Sequence, residues 1–112
     1  MRYRPYIAQD IGELLDKLGA MMLCAPLFKD TTGYFPQMDL ASEFLGLNES
    51  LLALRKKLGE ERYEHLKVLS DKMRTLFEAD PENKTGDTRA GRKIIREMED
   101  IVKSTARRQS SK

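Results

Sequence analysis

The sequence predicts an all-α fold, a small bundle of four to five helices with one long aromatic loop or short hairpin between the first two. Apolar residues recur at three- and four-residue spacing along most of the chain, which is the periodicity of a helix with one buried face. The interruptions carry glycine, proline or both, and these end helices for steric reasons. A chain of 112 residues has room for a single core, so one domain is expected over residues 1–106, followed by a frayed basic tail at 107–112.

Residues 1–9 interleave Arg2 and Arg4 with Tyr3 and Tyr6 around Pro5. Tyr3, Tyr6 and Ile7 are enough to anchor an N-terminal arm on the domain. Asp10 then starts a helix: its carboxylate can cap, Glu13 stands three residues on, and Ile11, Leu14, Leu15, Leu18, Met21 and Met22 share a face. Pro26 places its end near Cys24.

The segment Pro26 to Pro36 breaks the helical pattern and holds Phe28, Tyr34 and Phe35, three of the eight aromatics. Leu27-Phe28 and Tyr34-Phe35 could pair as a short hairpin across Lys29 to Gly33, or the segment could be irregular. In both forms its aromatics need something to pack on.

Two helical segments are expected next, Asp39 to Leu45 and Asn48 to Leu58, with Gly46 between them and Asn48 as the second N-cap. Gly59 ends that run, and the stripe of Tyr63, Leu66, Leu69, Met73, Leu76 and Phe77 is out of phase with the earlier leucines. The sequence leaves open whether residues 49–58 and 60–79 are two helices or one kinked helix. Asp80 to Gly86 reads as a turn. Asp87 or Thr88 caps a last helix with Ile94, Ile95, Met98, Ile101 and Val102 inward, and with Lys93–Glu97, Arg96–Asp100 and Glu99–Lys103 spaced for ion pairs.

Composition narrows the function classes. A net charge of +2 is too small for a nucleic-acid footprint unless it is clustered, and the clustering lies at the end, where residues 89–112 hold eight basic and three acidic side chains. Cys24 is the only cysteine, so no internal disulfide forms and a reducing, cytoplasmic setting is expected. No membrane span or signal-peptide core is present in the sequence. His65 has Glu61 one turn away, but two ligands do not hold a metal. No cofactor, metal site or catalytic residue is expected.

The segment from Asp39 to Leu58 looks like a helix-turn-helix, which would place its second helix in a DNA major groove. Ala41 is followed by three residues before Leu45-Gly46, one more than the motif usually has, and Leu51 and Leu52 stand where base-reading side chains belong. The expected function is therefore a non-enzymatic protein-binding module, acting on another protein or on itself. Its anchors are Leu27, Phe28, Tyr34, Phe35 and Met38, because aromatic anchors dominate interfaces. The alternative is a nucleic-acid-binding regulator using residues 38–58, with anion contacts from Arg55, Lys56, Lys57, Arg89, Arg92 and Lys93.

Overall fold

A computed structural model describes residues 7–25, 28 and 39–110, which form five α-helices and no strand. They are α1 (Ile11–Cys24), α2 (Leu40–Ala53), α3 (Arg55–Leu58), α4 (Glu60–Ala79) and α5 (Asp87–Ser110). The small all-α bundle is as the apolar periodicity requires. α5 packs along α4 and, on its other side, along α1, while α2 covers α4. None of these helices is long and apolar enough to cross a membrane.

α1 starts as its sequence dictates. Asp10 is extended, its Oδ1 accepts from the Glu13 amide at 2.8 Å, and Glu13 Oε1 accepts from the Gln9 amide at 2.7 Å. Ile11, Leu14, Leu18 and Met21 are buried, with Leu15 and Met22 at the margin of the core. The arm before α1 is held by Ala8 rather than Ile7. Ala8 is fully buried and its amide donates to Ser50 Oγ at 2.8 Å, whereas Ile7 is 40% exposed. Tyr3 and Tyr6 lie outside the described residues.

α2 corrects the expected break at Gly46. Asp39 and Ser42 form a reciprocal capping box, and the helix then runs unbroken through Gly46 to Ala53. A glycine inside a helix costs about 1 kcal/mol, whereas burying Phe44, Leu47 and Leu51 on one continuous face yields about 1.5–3 kcal/mol each. Packing decides. Asn48 is not a cap either: it lies mid-helix, and its Oδ1 accepts from Ser70 Oγ at 3.0 Å, tying α2 to α4.

The actual breaks are at Leu54 and Gly59. Gly59 has φ 87°, a backbone that favours glycine, and it makes α3 and α4 separate helices. Arg55 spans that break, donating from Nε and one terminal nitrogen to the two Glu60 oxygens at 2.6 and 2.8 Å while its guanidinium lies 4.8 Å from the Tyr63 ring centre.

The start of α5 depends on a residue of the preceding turn. Neither Asp87 nor Thr88 supplies the cap. Asp80, 2% exposed, accepts from the Lys84 and Thr85 amides through Oδ1 and from the Thr88 amide through Oδ2, and the Thr88 hydroxyl donates back to the Asp80 carbonyl. Burial would raise its pKa, but the amides of Thr88, Lys84 and Thr85 outweigh that and bring it down to about 2. The helix continues to Ser110, so the backbone at 107–110 extends α5 without a break.

Candidate functional site

The first two turns of α5 build a cleft against the end of α1. It has a volume of about 570 Å³ and is lined by Arg89, Arg92, Lys93 and Arg96 of α5, Met22 of α1, and Asn83 and Gly86 of the connecting turn. The four cations stand at i, i+3, i+4 and i+7, so helical geometry alone puts them on one face. That placement is unfavourable by itself. Arg89–Lys93 and Arg92–Arg96 are four apart, Arg89–Arg92 and Lys93–Arg96 three apart, and each like-charge neighbour costs about 0.2–0.5 kcal/mol.

The carboxylates that the spacing offers do not relieve this. The pairs Lys93–Glu97, Arg96–Asp100 and Glu99–Lys103 are not formed; the ion pairs among the described residues are Arg55–Glu60, Arg74–Glu78 and Lys84–Glu82. Arg92 is half-buried, and one of its terminal nitrogens donates to the Ala25 carbonyl at 3.1 Å, which fixes the guanidinium between α1 and α5. Its Nε is shielded from solvent with no acceptor. Two of the first-turn amides of α5 are already taken, since Asp80 accepts from Thr88 and Thr85 Oγ1 accepts from Asp87 at 3.3 Å. The four side chains supply the positive charge of this wall.

The sequence-predicted residues among those described fall in three places: this cleft, the core and α3. Arg89, Arg92 and Lys93 are brought together as a basic cluster; Arg96, Met22 and Asn83 join them and were not expected. Arg96 has a sequence signal, its position one turn beyond Arg92 on the same face. Met22 has none, because only tertiary packing brings α1 against α5.

Arg55, Lys56 and Lys57 lie elsewhere, on α3, and Arg55 is committed to Glu60 and Tyr63. That contact raises the Arg55 pKa, through the Glu60 hydrogen bond first, and lowers that of Glu60. The turn of a helix-turn-helix is absent at Gly46, and Leu51, Leu54 and Leu58 are core residues.

Phe28 is a correction of a different kind. Expected as a partner-binding anchor in a loop whose exposure the sequence leaves open, it is fully buried, with its ring edge-on to Phe44 at 5.7 Å and to Phe77 at 5.4 Å between centres. Its φ of 56° is uncommon for a residue with a side chain, and the aromatic cluster holds it there. Leu27, Tyr34, Phe35 and Met38 lie outside the described residues. Among the described residues, the large apolar side chains most open to solvent are Leu23 at 86% and Val68 at 61%, on different helices.

Two smaller clefts lie elsewhere on the described residues. His65 and Glu61 line one of about 280 Å³ with Arg62, Ile101 and Ser104, and no group of three His, Cys, Asp or Glu able to hold a metal occurs among the described residues. Lys17 and Glu43 line another of about 260 Å³ with Asp16 and Ala20. Lys17 is only 4% exposed; desolvation lowers its pKa and the Glu43 charge partly opposes that. No protein-family model, curated protein or solved structure matches the chain.

Proposed function

We propose that this protein is a non-enzymatic helical binding module whose recognition surface is the basic cleft between α1 and α5, and that its partner presents an anionic group there. The observation that carries the reading is the set of four cations on one wall of a 570 Å³ cleft, none of them in an ion pair among the described residues. A bundle that keeps repulsive neighbours together, with carboxylates at usable spacing beside them, gives up stability that a bound anion restores. Among the described residues the lining supplies charge, one thioether and one amide, with no carboxylate, histidine or nucleophile to carry a reaction.

With Phe28 inside the core, the aromatic segment loses one of its expected anchors, and the cleft replaces it as the docking surface. Binding of a poly-glutamate probe, followed by anisotropy, tests this against a simple net-charge effect. Arg96→Glu and Lys56→Glu change the net charge equally, but only Arg96 lines the cleft. The reading requires loss of binding in R96E and retention in K56E. Equal losses would show general charge attraction instead, and absence of binding by the wild-type protein at low salt would end the proposal.

A further inference from the structure

We infer that the cleft takes a compact ligand with two adjacent phosphoryl groups, an inorganic diphosphate or its organic ester. This rests on the cleft being the recognition surface and specifies the chemistry it recognises. Three features bear on the oxyanion that the cleft would take, and the third selects a diphosphate. First, three of the four cations are arginines, whose planar forks match the geometry of phosphate oxygens and donate two hydrogen bonds at once. Second, the Arg92 guanidinium is oriented by the Ala25 carbonyl at 3.1 Å while its Nε has no acceptor and no access to water. Such a shielded, unmatched donor is costly, so the fold keeps Arg92 on this wall against its own stability.

Third, the dimensions call for more than one phosphoryl group. Arg89 and Arg96 are seven residues apart, a rise of about 10 Å along the helix. A single phosphate lies near two or three of these side chains; a diphosphate presents oxygens to both ends of the row and offsets most of the charge of the four cations. A volume of about 570 Å³ also leaves room for an organic substituent, with Met22 and Asn83 as the remaining side chains to meet it.

Isothermal titration of the full chain at low salt, with inorganic pyrophosphate, orthophosphate, adenosine diphosphate and poly-glutamate as separate probes, tests the assignment. The expected result is one pyrophosphate or adenosine diphosphate per chain, bound at least tenfold tighter than orthophosphate, with R89A and R96A each weakening it tenfold or more. Tighter binding of adenosine diphosphate than of pyrophosphate identifies the organic ester; the reverse identifies the inorganic ion. Arg92→Lys keeps the charge and removes the fork, so it should weaken pyrophosphate binding. Poly-glutamate binding with pyrophosphate no tighter than orthophosphate overturns the diphosphate assignment and leaves the recognition surface standing. No binding of any probe overturns both.

Discussion

Phe28 and Asp80 are the two residues whose roles changed most between sequence and structure. Phe28 stands in a proline-bracketed segment rich in aromatics, which the sequence leaves open as binding surface or core, and its ring completes a cluster with Phe44 and Phe77. Burial of a loop aromatic depends on what lies opposite it in space, and no local pattern encodes that. Phe28→Ala is expected to destabilise the fold by about 3–5 kcal/mol, measured by urea unfolding, as for other buried aromatics. A change below 1 kcal/mol would place the ring outside the core. Asp80 was legible as a turn residue but not as the cap of α5, because it stands seven positions before the helix begins. With its folded pKa near 2 against an ordinary 3.8, its contribution is fully present above about pH 4 and is lost as pH falls through 2. Wild-type Tm should therefore fall over that window; Asp80→Asn should have a lower Tm at pH 7 and a shallower acid slope.

At the scale of the element, three glycines had three outcomes. Gly59 broke the chain as expected, because its positive φ is a conformation few other residues adopt easily. Gly46 was passed over by a helix whose buried face is continuous. Gly91 gave no sequence signal at all, although a Cβ there would come within 2.5 Å of the Phe77 ring. Phe77 cannot give way, being packed between Phe28 and Phe44. Gly91→Ala, which would stabilise an isolated helix, should cost about 1–3 kcal/mol here by forcing α5 away from α4. The cation face of α5 makes the opposite prediction. Arg89→Glu replaces repulsion from Arg92 and Lys93 with attraction in the first turn of the helix and should raise stability by about 0.5 kcal/mol in thermal melts, even as it removes anion binding. A loss of stability would mean that the four cations are not in mutual strain.

For the whole molecule, the all-α class and most of the buried stripes were readable because helical periodicity is a local property of the sequence. The cleft was only half readable. Arg89, Arg92 and Lys93 were visible as a cluster, but the wall opposite comes from α1, and the Arg92–Ala25 hydrogen bond joins positions 67 residues apart. Assembly of the bundle converts a charged helix face into a concave site. If that site works by charge, raising salt from 0.1 to 1 M, where the screening length falls from about 10 to 3 Å, should weaken anion binding strongly while leaving the apolar core intact.

Backbone amide chemical-shift mapping during a pyrophosphate titration tests the central claim most directly. Saturable shifts centred on residues 86–96, extending to Met22 and Ala25 and sparing Leu45 to Lys57, are the predicted result. Shifts centred on Lys56 and Lys57, or a spectrum that does not change, would contradict it.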